Sequence, residues 1–158
     1  MADISRAASF GKLAPLPYKA IEGATVFCKL RGNPFVELQH WLQQILNNPD
    51  SDLHRIIRHY ELDTAALATD ITNSLDRLPR GAASISDIST FIDTAVERGW
   101  LYASLMFKQN LVRSGHLIIG LLKQSQQTFV RNKSSCHQFR PSVQVAYEVS
   151  HPANPNFQ

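Results

Sequence analysis

Apolar residues recur at helical spacing over most of this 158-residue chain. Steps of three and four residues place side chains on one face of a helix, and such steps continue until about residue 127. The helices predicted from them cover residues 15–30, 34–46, 51–60, 63–78 and 84–106, and one further helix from residue 114 onward. Proline and glycine residues stand between several of them, because neither continues a helix well.

Polar residues that can cap a helix stand at the predicted helix starts. Asn33 is the predicted N-cap of the second helix, and Pro34 is its predicted first residue, since proline fits the first helical turn. The fifth helix is predicted to start near Ser84 or Ser86. These assignments would place the isoleucines that follow the two serines on a helix face.

An internal repeat relates two of the predicted helices. Residues 36–46 align without gaps with residues 112–122, and a histidine (His40, His116) occupies the same position in each copy. We therefore predict two pseudo-equivalent helical halves, joined by a linker near residues 78–83. The predicted fold class is all-α, with a pseudo-twofold repeat of helical units.

The helical pattern does not continue to the end of the chain. Apolar residues alternate at period two from Val143 to Val149, which is the spacing of a strand, and one strand alone has no partner. We predict a helical domain over residues 1–124 and an atypical, poorly ordered tail over residues 125–158. On this interpretation the second repeat is incomplete or altered at its C-terminal end, for example by a frameshift.

Charge and composition exclude several classes of protein. Lys and Arg number 16 against 13 Asp and Glu, but residues 1–127 hold 13 basic and 12 acidic side chains, which leaves that region nearly neutral. A nearly neutral domain has no broad cationic face for nucleic acid. No apolar run approaches the ~18 residues of a membrane helix, and Cys28 and Cys136 are too few for a disulfide framework. We therefore expect a cytoplasmic protein that binds neither nucleic acid nor membrane.

The sequence carries no pattern of an enzyme active site. The phosphate-binding loop G-x-x-x-x-G-K-[ST] is missing, as is the H-E-x-x-H metal motif. His40 and His116 are therefore interpreted as structural, each bonded to a neighbouring backbone or hydroxyl group. His54 and His59, which stand among arginines, indicate a solvated basic face or a contact to an acidic partner. We expect no catalytic residue, no metal and no cofactor.

Five segments of the chain resemble the N-terminal domain of the Clp/Hsp100 unfoldases, and in particular the ClpV branch found in type VI secretion systems. They are Phe10–Leu13, Ala24–Pro34, Asp52–His59, Leu75–Gly81 and Val112–Leu117. The resemblance spans residues 8–124 and implies a pseudo-twofold helical domain. It also implies that the ATPase modules of the full-length unfoldase are separate from this fragment, so that the fragment is not an enzyme. The fragment is then expected to be a monomer, with hexamers forming only through the ATPase modules.

The resemblance further implies a role in recognition. ClpV-type domains take an amphipathic N-terminal helix of the large contractile-sheath subunit into a hydrophobic groove, which enables sheath disassembly. The expected mode is helix-in-groove binding. The groove of related domains involves the first helix and the start of the fifth. In this sequence that implies a peptide-binding set of Leu13, Leu16, Tyr18, Ile21, Ile85 and Ile88.

Each member of this set also has a plain structural interpretation. Ile85 and Ile88 have the spacing of core residues, while Leu13, Leu16 and Tyr18 could form a hydrophobic staple or a packed N-terminal arm. The alternative function is a generic Clp N-terminal domain that binds another adaptor or an unfolded segment. A helical nucleic-acid binder and an enzyme are the less favoured classes.

Overall fold

The computed structural model describes residues 5–131, and these residues form an almost entirely helical domain. Within them the helices are α1 (Arg6–Phe10), α2 (Pro15–Arg31), α3 (Leu38–Leu46), α4 (Asp52–His59), α5 (Thr64–Asp76), α6 (Thr90–Leu101) and α7 (Ser114–Arg131). A π-helical turn (Tyr102–Met106) continues α6. Two strands of two residues each, β1 (Phe35–Val36) and β2 (Asp87–Ile88), pair in parallel. The predicted all-α class is confirmed.

Two helices begin close to residues 51 and 63, where the sequence predicts helix starts. The Ser51 hydroxyl accepts a hydrogen bond from the N–H of His54 at the start of α4. The Asp63 carboxylate accepts from Ala65 and Ala66 at the start of α5. In both cases a short polar side chain satisfies a backbone donor that has no partner within the helix.

The predicted start of the second helix at Asn33 and Pro34 is wrong. Asn33 is only 2% exposed, and its side-chain amide donates to the Pro79 carbonyl at 2.7 Å. Its carboxamide oxygen lies 2.9 Å from Nε2 of His40. Because this side chain is engaged with distant partners, it caps no helix, and α3 begins at Leu38 after the β1 strand.

The predicted helix start near Ser84 or Ser86 is also wrong, because α6 begins at Thr90 with Ser89 as its N-cap. The N–H of Ser86 donates to the Pro34 carbonyl, and the N–H of Ser89 donates to the Val36 carbonyl. Backbone donors that a helix would leave free are therefore taken by the neighbouring β1 segment. Helical spacing alone cannot detect such a partner.

Two parallel contacts tie the halves of the domain together. In one, β1 pairs with β2, and the Val36 carbonyl accepts from Ser89 at 2.9 Å. In the other, Leu13 bridges Val112, whose carbonyl accepts from Ala14 at 2.9 Å. Each contact joins the chain just before a helix of one half to the chain just before a helix of the other.

Equivalent positions of the two halves are buried alike. The buried pairs along α2 and α6 are Ala20 with Ala95, Ala24 with Gly99, and Cys28 with Ala103. These pairs are 75 residues apart, whereas the histidines of α3 and α7 are 76 apart. The π-helical turn lies between the two registers and accommodates the extra residue. These matches support the predicted repeat, which stays a prediction for the domain as a whole.

The core extends through both halves and contains buried residues of α2, α3, α5, α6 and α7. Helix α7 continues to Arg131, past the domain boundary predicted at residue 124. The strand-like Val143–Val149 segment, and with it most of the predicted tail, lies outside the described residues.

Candidate functional site

Apolar side chains stand exposed where β1, β2 and the start of α6 meet. Phe91, in the first turn of α6, is 59% exposed, and Phe35 of β1 is 44% exposed. Ile88 of β2 is half-buried and packs against the core. We call Phe35, Ile88 and Phe91 the α6 surface. Exposed aromatic side chains are enriched at interaction sites, which makes Phe35 and Phe91 candidates for contact with a partner.

Helix α1 packs against α6, and the salt bridges of Arg6 stabilise this contact. The Arg6 guanidinium bonds Asp93 through Nε (2.8 Å) and Nη2 (2.7 Å), and it bonds Asp87 through Nη1 (2.6 Å). The hydrogen bond from Arg6 lowers the pKa of Asp87 below its usual value. Helix α1 therefore lies against the start of α6 and carries a positive charge that pairs with Asp87 and Asp93.

A concave site lies at the start of α2, in the position that the predicted repeat relates to the α6 surface. It has a volume of about 680 Å³, within the range of ligand-binding clefts. We call it the α2 cavity; its lining consists of Ala14, Pro15, Leu16, Pro17, Asp50, Asp52, Lys108, Gln109, Asn110, Leu111, Arg113 and Ser114. Leu16 is 75 residues before Phe91, and Leu111 is 76 residues after Phe35.

An ion pair at the edge of the α2 cavity joins the two halves. Asp52 of α4 accepts from Arg113 at 2.5 and 3.1 Å, and from the N–H of Gly115 in the first turn of α7 at 3.2 Å. Burial alone would raise the pKa of Asp52, but the bonds from Arg113 and Gly115 outweigh burial and lower it. This carboxylate is occupied in holding α4 to α7, so it is not available as a general base.

The residues predicted for the groove on α2 divide between core and surface. Leu13 and Ile21 are 6% and 7% exposed and belong to the hydrophobic core. Tyr18 is 46% exposed, and Leu16 lines the α2 cavity. In this conformation only Leu16 and Tyr18 of these four offer surface to a partner.

The two predicted residues outside α2 lie at a different place. Ile85 and Ile88 are partly buried against the core, and β2, which contains Ile88, pairs with β1 beyond the C-terminal end of α2. A 17-residue helix rises about 25 Å, so the two ends of α2 are far apart. The structure does not bring the six residues together into one groove.

Sequence reasoning missed the most exposed members of the α6 surface. Phe91 falls outside the apolar stripe of α6, which contains the buried Ile92, Ala95 and Val96. An aromatic residue beside such a stripe is a signal that could have been used. Helix α1 carried no usable signal, because five residues are too few for a periodic pattern.

The two repeat histidines have structural roles, as the sequence analysis predicts. Nδ1 of His40 accepts from the N–H of Glu37 at 2.9 Å, and Nδ1 of His116 accepts from the N–H of Arg113 at 3.1 Å. Each imidazole thereby bonds a backbone donor at the start of α3 or α7. Burial lowers the pKa of both histidines, which keeps the rings neutral.

The described part of the chain gives no support for metal or thiol chemistry. Among residues 5–131, no group of three or more His, Cys, Asp or Glu side chains could hold a metal ion. Cys28 is fully buried, and burial raises the pKa of its thiol, so it is an unreactive core residue. No helix in the same range has the length and apolar character to cross a membrane.

Known proteins share both this fold and much of its sequence. The AAA+ ATPase ClpV1 of Pseudomonas aeruginosa is 63% identical over 123 residues, which are 78% of this chain and 14% of that protein. A structure solved for a study of the coevolution of ClpV, the TssB–TssC sheath and HsiE is 54% identical, with a TM-score of 0.79. That match covers 94% of this chain and 92% of the solved chain. No family model matches the chain.

A complex of a ClpV N-domain with a VipB peptide is 23% identical, with a TM-score of 0.69, over 80% of this chain and 78% of that one. It shares the fold. The helical architecture and these matches are those of an N-terminal domain of a Clp-type ATPase. The chain belongs to the ClpV family, and it matches that family over the N-terminal-domain region.

Proposed function

We propose that this domain is the substrate-recognition module of a ClpV-type unfoldase and binds an amphipathic N-terminal helix of the large type VI sheath subunit. The family relationship supports this role, as does the peptide complex of a related ClpV N-domain. Peptide recognition requires no catalytic group. His40 and His116 bond backbone N–H groups, and Cys28 is buried in the core. ATP hydrolysis is assigned to the AAA+ modules of the full-length relatives, which this chain matches over only 14% of the length of ClpV1.

The α6 surface is the proposed seat of the peptide. The observation that carries this choice is that α1 packs against α6, whose first turn exposes Phe91 three residues after Ile88 of β2. Together they provide an apolar strip with a helical wall, which suits the apolar face of an amphipathic helix. Ile85 and Ile88 of the predicted set are partly buried and would form the base of this site. Leu16 and Tyr18 lie at the N-terminal end of α2 and would not take part in it.

The α2 cavity is the alternative binding site, because Leu16 and Leu111 line it. In the predicted repeat these two residues correspond to Phe91 and Phe35. One exposed residue from each site supplies a variant for comparison. Phe91→Glu and Leu111→Glu each place a carboxylate on an exposed apolar position, so both should fold. If the α6 surface binds the peptide, Phe91→Glu should raise the Kd at least about tenfold, as expected for a central aromatic anchor. Leu111→Glu should leave it unchanged.

The measurement is fluorescence anisotropy of a labelled peptide carrying the sheath helix, titrated with the 158-residue chain. A peptide of the same composition with its apolar residues moved off one face serves as control. Absence of binding by the folded wild-type chain at high micromolar concentration would contradict the sheath assignment. Equal binding of both peptides would favour a generic Clp domain that takes unfolded segments, and an effect of Leu111→Glu alone would move the site to the α2 cavity.

A further inference from the structure

Arg6 connects three separate parts of the molecule with one side chain. Besides its bonds to Asp87 of β2 and Asp93 of α6, its Nη2 lies 3.4 Å from the Ile88 carbonyl. Asp93 is 24% exposed and receives two parallel bonds, the geometry that fixes a guanidinium best. The arginine therefore holds α1, the end of β2 and the first turn of α6 in one arrangement.

Helix α1 is too short to keep its position unaided. It has five residues, well below the ~12–15 at which an isolated helix becomes stable, and Ser9 is its one buried residue. Its C-terminal end is anchored nearby, because Leu13 bridges Val112 and the N–H of Val112 donates to the Lys12 carbonyl. At its N-terminal end, Arg6 supplies hydrogen bonds that cross to β2 and α6.

We propose that Arg6 is a positioning residue of the peptide-binding site: it holds α1 against the start of α6, so that α1 and the first turn of α6 keep one preformed arrangement. This inference rests on the proposed function. A peptide that meets an ordered wall loses less free energy to ordering than one that must first immobilise a frayed α1. Arg6 itself touches no reacting group and acts through the helix it fixes.

If Arg6 had only a structural role, its removal would have a different effect on peptide affinity. Exposed ion pairs contribute little to global stability, and Arg6 is 39% exposed. The comparison pair of Arg80 with Asp76, at 2.7 Å, joins the end of α5 to the loop that follows it, and Asp76 keeps Arg31 as a second partner. If Arg6 were an ordinary surface pair, its removal would resemble that of Arg80 in every measurement. Peptide affinity, measured apart from unfolding, distinguishes the two roles.

The test compares Arg6→Ala, Arg6→Lys and the control Arg80→Ala in the full chain, by peptide titration, urea unfolding and amide hydrogen exchange. We expect Arg6→Ala to raise the Kd about tenfold, with fast exchange at Ala8, Ser9 and Gly11 and little change in the urea midpoint. Arg6→Lys should restore part of the affinity, because lysine supplies the charge without the planar fork. Arg80→Ala should bind as the wild type does.

The outcomes separate this inference from the proposed function. If the wild-type chain binds the peptide and Arg6→Ala binds it equally well, the positioning role is overturned while sheath recognition stands. A Kd that rises equally for Arg80→Ala would also overturn it. If the wild-type chain fails to bind, the proposed function falls, and this inference falls with it.

Discussion

The two predicted halves of the domain fill their interiors differently. In the first half, α2 and α3 pack around Trp41, which is 1% exposed and donates its indole N–H to the Pro17 carbonyl at 3.0 Å. In the second half, the equivalent position is Leu117, and α6 and α7 approach closely at Gly99 and Gly120. A large side chain in one half is replaced by close backbone contact in the other.

A protein core restricts the total volume of its side chains more strictly than the identity of each residue. A methyl group on Gly99 would lie 2.9 Å from Cγ1 of Val112 and 3.1 Å from Cδ2 of Leu117. A methyl group on Gly23 of α2 would instead meet the carboxamide oxygen of Gln44 at 3.0 Å. The first contact involves stiff, buried groups, while the second involves the end of a flexible side chain.

The largest effect should come from truncating the central residue of each half. Trp41→Ala should lower the free energy of unfolding by about 4 kcal/mol, since it leaves a cavity and an unpaired Pro17 carbonyl. Leu117→Ala should cost about 3 kcal/mol. Urea unfolding followed by far-UV circular dichroism measures both. A larger loss for Leu117→Ala would mean that the second half, despite its glycines, depends more on side-chain volume.

Adding one methyl group to each half should give effects of opposite sign. Gly23→Ala should stabilise the domain by about 0.5–1 kcal/mol, because alanine favours the helix and the Gln44 side chain can move. Gly99→Ala gains the same helix propensity but should lose about 1 kcal/mol net, because overpacking against Val112 outweighs it. Urea midpoints of the two variants decide this. Stabilisation by Gly99→Ala would show that α6 and α7 can separate without cost.

A third comparison concerns acid acting on His40 and His116, which occupy equivalent positions of the two predicted halves. Burial lowers the pKa of His40 and His116 in the folded domain, so the unfolded chain binds protons first as the pH falls. The free energy of unfolding should therefore decrease as the pH drops below the unfolded value of about 6.5. Protonation of Nδ1 also removes the acceptor for Glu37 or Arg113.

Urea unfolding between pH 7.5 and pH 5 measures this slope, which should not exceed about 1.4 kcal/mol per pH unit for each histidine. His40→Gln and His116→Gln should each reduce it, and the double variant should nearly abolish it. A slope unchanged in the double variant would assign the acid sensitivity to other groups.

The presence and approximate position of most helices could be predicted from the sequence, because apolar periodicity and helix capping depend on residues that are close together in the chain. Ser51 and Asp63 cap the helices predicted for them, and the spacing of Trp41 with its neighbours gives α3. The family could be inferred for the same reason, since its segments are local patterns. Charge counting, likewise, indicated a nearly neutral domain.

The site depended on contacts that no local pattern contains. Strand β1 exists because Phe35 and Val36 meet Asp87 and Ile88, more than fifty residues later, and this pairing moved the start of α6 and left Phe91 exposed. Helix α1 is fixed by Arg6 across a separation of 87 residues to Asp93. Local sequence determined which segments of this protein become helices. Hydrogen bonds and ion pairs between distant segments decided where those helices begin and which apolar side chains reach the surface, because the energy that selects them is gained only when the chain has closed on itself.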